Sequence, residues 1–185
     1  MGSLGFLFLV LLPLSFPQLF FQQSSVLLVR GDAKLIQRTC KSTKHYDLCL
    51  SSLRSNSSSL KVDTKGLATI IIGIGMANAT DTYSYLSSQL LSNTNDTALK
   101  TVLKGCADKY SYANDALQGA LQQLALDSYD YAYVQVSAAV DYPNVCHNAF
   151  KRYPGLTYPP ELALREQALE SVCDVASGII DLLGR

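Results

Sequence analysis

The chain has 185 residues, 48% of them hydrophobic, so it is long and apolar enough to bury the core of one domain and is not a disordered chain. Lys plus Arg and Asp plus Glu number 15 each, which gives a formal net charge of zero. This balance excludes the basic field that attracts nucleic acids or anionic membrane surfaces.

The first 29 residues contain no charged side chain, and residues 5–12 form an unbroken apolar run. This run predicts a signal peptide over residues 1–33, with cleavage somewhere between 23 and 33. Pro13 and Pro17 interrupt the stretch before it reaches the roughly 18 to 20 apolar residues of a spanning helix, although a signal anchor is the alternative. We therefore expect residues 34–185 to be a secreted domain that is free of the membrane once the leader is removed.

The predicted secretion favours disulfides between the five cysteines, because small domains form disulfides in an oxidising compartment. An odd number leaves one thiol over. Residue types alone leave the pairing open, since four cysteines pair in three ways and any of the five can be the free one. Three N-glycosylation sequons, at Asn56, Asn78 and Asn95, agree with passage through the secretory pathway.

After the leader, a short segment with Cys40 and Cys49 ends in a serine-rich loop, and four longer segments follow. In the first of these, apolar residues recur at spacings of three and four, the period of a helix that buries one stripe. The stripe comprises Ile72, Met76, Ala79, Tyr83, Leu86 and Leu90. Asp63 is its predicted N-cap. Gly73 and Gly75 lack the following residues of a phosphate loop and predict close helix packing instead.

The remaining three segments repeat the helical period. The second carries Leu99, Leu103, Cys106, Tyr110, Ala113, Leu117, Ala120 and Leu124. The third, from about Ser128, carries Tyr129, Tyr133, Val136 and Val140. It then meets Pro143, where a helix should kink or restart because proline removes a backbone hydrogen bond. The fourth follows Pro159 and Pro160 and carries Leu162, Leu169, Val172, Ala176, Ile179 and Leu183.

Four amphipathic helices joined by short loops predict an all-α fold, an antiparallel up-down four-helix bundle with an N-terminal helical hairpin extension. On this frame a Cys106–Cys146 disulfide would join neighbouring helices, and Cys40–Cys49 would close the hairpin. Cys173 lies at the edge of the last apolar stripe, a position that suits a buried thiol.

No catalytic or metal-binding constellation is recognisable. His45 and His147 are the only histidines, and Cys146 and His147 would point about 100° apart on a helix, which argues against zinc. Asp127 and Asp130 could pair for glycoside chemistry, but acids at the start of a helix are also favoured by its dipole. We therefore expect no catalysis, no cofactor and no metal.

Tyrosines gather around the junction of the second and third bundle helices. Tyr131 is offset by about 200° from Tyr129 and should face solvent. Exposed aromatic rings beside acids are typical of protein-binding surfaces, because Tyr buries a large area with few rotors to freeze. The sequence predicts that Tyr112, Tyr129, Asp130 and Tyr131 contact a protein partner, with simple bundle packing and one exposed ring as the alternative.

These residues together resemble the plant inhibitors of acid invertase and of pectin methylesterase, over about residues 34–183. The resemblance rests on the following spaced residues: Cys40 and Cys49 with eight residues between, Cys106, Tyr129, Ser137-Ala138-Ala139, Asp141, Cys146 and the Cys173-Asp174 pair. It implies the predicted bundle, the disulfides Cys40–Cys49 and Cys106–Cys146, and a free Cys173.

The resemblance also implies a secreted inhibitor that binds its target enzyme 1:1 in the cell wall or, alternatively, the vacuole. Invertase inhibitors of the family carry a Pro-Lys-Phe motif where this chain has Tyr129-Asp130-Tyr131. Pectin methylesterase is therefore the predicted target and acid invertase the alternative. A structural or ligand-carrying bundle with no enzyme target is the second alternative.

Overall fold

The computed structural model describes residues 33–184. They form six α-helices: α1 (Ala33–Lys41), α2 (Tyr46–Ser55), α3 (Thr64–Ser84), α4 (Thr97–Ala125), α5 (Tyr129–Lys151) and α6 (Pro160–Asp181). Over that range there is no strand, and no helix combines the length and apolarity that crossing a membrane requires. Of the predicted leader only Ala33 is described, as the first residue of α1; the rest lies outside the described residues.

Helices α3 to α6 form an up-and-down four-helix bundle. Each packs on two neighbours, α3 and α5 both lying between α4 and α6. Helices α1 and α2 form a hairpin that packs on α3 and α6. The predicted all-α bundle with an N-terminal hairpin is confirmed. The hairpin therefore lies on one side of the bundle, and the α4–α5 pair lies on the opposite side.

Two bundle helices begin at aspartate N-caps. Asp63 Oδ1 accepts a hydrogen bond from the Gly66 amide at 2.8 Å, and Asp96 Oδ1 accepts one from the Leu99 amide at 3.0 Å. Each bond satisfies an amide that the first helical turn leaves without a partner. The predicted cap at Asp63 is thus confirmed. Helix α6 begins at Pro160, where the missing amide hydrogen removes no helical bond.

The buried stripes of α4 and α6 follow the predicted residues, with Leu99 and Leu183 half-buried at the ends. On α3 the prediction of Tyr83 is wrong, because Thr82 takes the core position and Tyr83 is exposed. The Thr82 hydroxyl donates to the Asn78 carbonyl at 2.8 Å, which removes the penalty for burying it. A polar residue that satisfies its own hydrogen bond can therefore hold a core position.

The two α3 glycines for which close packing was predicted, Gly73 and Gly75, differ. A Cβ at Gly75 would lie 3.1 Å from Leu117 Cδ1 and 3.6 Å from Val172 Cγ1, so this glycine allows three helices to approach closely. Gly73 is exposed, with nothing near a Cβ built there, so its predicted packing role is wrong. Helix α5 is likewise continuous through the buried Pro143, and a restart there is not observed.

Two disulfides join adjacent helices. Cys40–Cys49 closes the hairpin, and Cys106–Cys146 joins α4 to α5. These are the pairs that the family resemblance implies. Cys173 is buried in α6 and carries a free thiol. Burial raises the pKa of this thiol to about 12, so it packs as a small neutral side chain.

Candidate functional site

The outer surface of the α4–α5 pair faces away from the hairpin and exposes large apolar side chains. We call this surface the α4–α5 outer face, defined by Tyr112, Tyr131, Val134 and Val145. Tyr131 is 70% exposed and Val134 is 61% exposed. Isolated exposed apolar residues are ordinary, whereas a contiguous patch of them marks an interaction surface.

Helix α5 carries two apolar stripes. One is buried in the bundle and comprises Ala132, Val136, Ala139, Pro143, Cys146 and Phe150. The other faces outward: with a step of about 100° per residue, Tyr131, Val134, Tyr142 and Val145 lie within about 80° of one another. The first stripe is buried in the bundle core and holds α5 in place, so the second stripe is not needed for that packing.

Tyr112 lies beside the outward stripe, halfway along α4. Its ring centroid is 5.7 Å from that of Tyr142, and Lys109 Nζ lies 5.1 Å from the Tyr112 centroid, a cation–π distance. Antiparallel packing places Tyr112 against Tyr142, which is 11 residues and roughly 17 Å along α5 from Tyr131. The predicted gathering of Tyr112 with Tyr129 to Tyr131 at one junction is therefore wrong, although Tyr112 and Tyr131 share the outer face.

The loop between α4 and α5 is fixed by Asp127, whose φ of 55° lies in the left-handed region. Its Oδ1 accepts hydrogen bonds from Lys65 Nζ at 2.9 Å and from the Tyr129 hydroxyl at 2.8 Å. The bond from Lys65, followed by that from Tyr129, lowers the pKa of Asp127 below its ordinary value, so the carboxyl stays ionised at mildly acidic pH. Asp127 thus connects the loop to α3 through Lys65 and to the first turn of α5 through Tyr129.

The predicted target-binding residues consequently divide into two kinds. Tyr129 is half-buried, and its hydroxyl is bonded to Asp127, which also raises the pKa of Tyr129. Asp130 and Tyr131, in the first turn of α5, are exposed. Tyr129 therefore orients the loop, and its two neighbours face solvent. Sequence reasoning missed Lys65, which lies 62 residues before Asp127 and carries no local signal of this contact.

Helices α4 and α5 carry charges of both signs in equal number. Their exposed carboxylates are Asp108, Asp115, Asp130 and Asp141. Their cations are Lys100, Lys104, Lys151 and the half-buried Lys109. Charged side chains around exposed aromatic rings favour a partner with an apolar centre and a polar rim.

Both histidines pair with carboxylates of α6. His45 Nε2 lies 3.0 Å from Asp174 Oδ2, and His147 Nδ1 lies 3.0 Å from Glu166 Oε2. The His147 ring also stacks on Tyr158, with centroids 4.3 Å apart. Each histidine therefore connects a neighbouring element to α6. Across residues 33–184 no three His, Cys, Asp or Glu side chains are grouped as a metal site would require.

Comparison with known proteins gives a consistent result. A family model described as plant invertase/pectin methylesterase inhibitor matches residues 34–179. An Arabidopsis thaliana protein named cell wall / vacuolar inhibitor of fructosidase 2 is 45% identical over 182 residues, covering 98% of each chain. Pectinesterase inhibitor 28 of Oryza sativa subsp. japonica is 39% identical, covering 82% of this chain and 70% of that protein.

Solved structures agree with the sequence relatives. The crystal structure of a mutant form of a pectin methylesterase inhibitor from Arabidopsis superposes with a TM-score of 0.65 at 25% identity, covering 79% of this chain and 95% of that chain. A second crystal structure, of a pectin methylesterase inhibitor from Arabidopsis thaliana, gives a TM-score of 0.60 at 25% identity, with 83% of this chain and 99% of that chain covered.

Proposed function

Because the chain belongs to the plant invertase/pectin methylesterase inhibitor family, whose members inhibit enzymes and are not enzymes themselves, we propose that it is a secreted inhibitor of a fructosidase of the cell wall or vacuole, an acid invertase. The observation that carries this choice is the 45% identity to the Arabidopsis inhibitor of fructosidase over nearly the full length of both chains. Residues 129–131 by themselves favour pectin methylesterase, and relatives named for inhibition of either enzyme match this chain.

The α4–α5 outer face is the proposed contact with the enzyme. Tyr131, Val134 and Val145 present an apolar stripe that the bundle does not use, and Tyr112 extends it onto α4. Interfaces of ordinary size bury roughly 800 Å² on each partner, and two helices of 29 and 23 residues provide enough length for such a contact. Binding there would cover the target's active-site cleft and exclude its substrate.

Rigidity of this face supports the proposal. The Cys106–Cys146 disulfide fixes α4 against α5, and Asp127 ties the loop at the end of the pair to Lys65 and Tyr129. A surface that is already ordered loses less conformational entropy when it binds. The exposed ring of Tyr131, next to this loop, is the strongest candidate for the central anchor.

Pectin methylesterase is the second candidate target. It is favoured by the 39% identity to the rice pectinesterase inhibitor and by the absence of the Pro-Lys-Phe motif at residues 129–131. The same outer face would serve either target, because the bundle geometry is shared with the solved pectin methylesterase inhibitors. The two candidates differ in the enzyme and not in the surface used.

Titrating the purified, disulfide-intact protein into one acid invertase and one pectin methylesterase, in the same acidic buffer, separates the candidates. We expect invertase activity to fall to a plateau at one inhibitor per enzyme while pectin methylesterase stays active. Inhibition of pectin methylesterase alone would replace the first candidate with the second. Loss of neither activity would contradict both, and the reduced protein provides the matched negative control.

A further inference from the structure

A groove of about 350 Å³ runs between α2, α3 and α6, on the side of the molecule opposite the α4–α5 outer face. Its apolar surface comes from Leu48, Ile74 and Leu164, and Leu164 is 62% exposed. Its polar surface comes from Ser52, Gln167, Ser171 and Asn78. The groove crosses the junction of the hairpin with the bundle, so an occupant would contact both.

Asn78 begins the sequon Asn78-Ala79-Thr80, and its side chain lines this groove. Within residues 33–184 no hydrogen bond engages the Asn78 side-chain amide, and the Thr82 hydroxyl donates to the Asn78 backbone carbonyl. The other two sequons differ. Asn56 Oδ1 accepts a bond from the Ser58 amide at 2.9 Å, and Asn95 is exposed on the loop before α4. Of the three sequon asparagines, Asn78 is the one whose side chain lines this groove.

We propose that Asn78 carries an N-linked glycan whose first sugar residues lie in this groove and join the hairpin to the bundle. During secretion, Asn78 Nδ2 would lose one proton and form a bond to the anomeric carbon of a lipid-linked oligosaccharide, displacing the lipid diphosphate. Glycosylation precedes folding, so the helical position of Asn78 is no obstacle to the transfer.

The chemistry of the groove suits a pyranose sugar. Such a ring has a C–H face that packs on aliphatic side chains, which Leu48, Ile74 and Leu164 supply. Its hydroxyl and acetamido groups find partners in Ser52, Gln167 and Ser171. The volume lies within the range of about 300 to 1,000 Å³ that is usual for small-molecule sites. Because the glycan is covalently attached to the groove wall, its effective concentration there is high.

The proposal accounts for the exposure of Leu164, which no other described element covers. It also leaves the α4–α5 outer face free, since the glycan occupies the opposite side of the bundle. It requires secretion but not a particular target enzyme, so its failure and the failure of the proposed inhibition can be told apart. Loss of the glycan should weaken the hairpin and leave inhibition unchanged.

The test is to secrete the full chain from plant cells, map glycopeptides by mass spectrometry, and follow hydrogen exchange of the α2 amides. We expect Asn78 to be occupied and α2 to exchange several-fold faster in both Asn78→Gln and Thr80→Ala. Thr80→Ala keeps Asn78 and removes the sequon together with the exposed hydrogen bond from the Thr80 hydroxyl to Asn114 Oδ1 at 3.4 Å on α4. Because that bond is remote from α2, agreement between the two variants assigns the effect on α2 to the glycan. Asn95→Gln is the matched control and should leave α2 exchange unchanged.

Leu164→Ser provides a second arm that does not depend on losing the sequon. Asn78 should stay glycosylated in this variant, and the α2 amides should still exchange faster, because the sugar loses the aliphatic side chain of Leu164 on which it packs. A secreted protein with Asn95 modified and Asn78 bare would overturn the proposal. So would an occupied Asn78 whose removal leaves α2 exchange unaltered, because the glycan would then lie outside the groove.

Discussion

The two long sides of the bundle differ in what covers their apolar surface. On the α3–α6 side, the hairpin covers the bundle and is bonded to it through Asp174, whose Oδ2 accepts from Lys44 Nζ at 2.8 Å and lies 3.0 Å from His45 Nε2. On the α4–α5 side, Tyr131 and Val134 face solvent although the core beneath them is complete. The comparison indicates that the chain itself covers the first side except at the groove beside Leu164, and that the second side is kept for a partner.

Each side of the bundle also has its own disulfide. Removing one disulfide or the other should give the largest difference in the free energy of unfolding. Cys106–Cys146 links residues 40 apart in sequence and Cys40–Cys49 links residues 9 apart. Loop-closure entropy predicts that replacing the first pair with Ala lowers the free energy of unfolding by about 4 kcal/mol, and the second by about 2.5 kcal/mol. Denaturant titration measures both, and a larger loss in the hairpin variant would contradict this ranking.

Exposed apolar residues on the two sides should differ in how much they contribute to inhibition of the target enzyme. Tyr131→Ala should weaken inhibition about 30-fold, equivalent to about 2 kcal/mol, because it removes the proposed anchor. Leu164→Ala, on the opposite side, should leave the inhibition constant unchanged. Both variants should unfold within about 0.5 kcal/mol of the parent protein, since neither side chain is in the core. Equal inhibition by the two variants would remove Tyr131 from the interface.

The Asp174 contact makes the hairpin side sensitive to acid. Burial opposes ionisation of Asp174, but hydrogen bonds from Lys44 and His45 outweigh it and lower its pKa below the ordinary 3.8. A carboxyl with a lowered folded-state pKa stabilises the fold above its unfolded-state pKa, and that stabilisation is lost as the pH falls through the folded-state pKa. Asp174→Asn should therefore destabilise by about 1 kcal/mol at neutral pH, with the difference narrowing below 3.8.

Thermal unfolding of the parent and Asp174→Asn across that acidic range measures this difference. Asp115→Asn, which removes an exposed acid on α4, on the side of the bundle away from the hairpin, is the matched control. A gap between parent and Asp174→Asn that stays constant through the acid range would show that the ionised carboxylate is not what holds the hairpin.

The Lys65 contact is the smallest of the four effects, and it belongs to the binding side. Lys65→Ala frees Asp127 from one of its two donors, so the loop before Tyr131 should become less ordered and inhibition should weaken by less than about fivefold. Lys65→Arg should restore most of the loss, because it keeps the charge and a donor. Added salt should shrink the difference between Lys65→Ala and the parent, as expected for an exposed ion pair.

The helices were predictable because their information is local. The three-four spacing of Leu103, Cys106 and Tyr110 defines a buried stripe on α4, and Asp63 marks the start of α3, without reference to any distant residue. The pairing of the cysteines depends on residues that are distant in sequence, and it was predicted only from the resemblance to a family. Thr82 and Tyr83 show the limit of a polarity pattern, since a satisfied hydroxyl displaced a tyrosine from the core.

By itself, the sequence determined the helical class, the number of bundle helices, the N-cap Asp63 and the exposure of Tyr131, because each depends on residues within one or two turns. Only the tertiary structure decided that Tyr112 packs against Tyr142, that Lys65 reaches Asp127, and that Asn78 lines a groove. These contacts depend on the register in which antiparallel helices pack, and that register is set by the shape of the whole core. The outward face of α5 is left uncovered because the hairpin packs on α3 and α6, and only the tertiary structure shows where the hairpin packs.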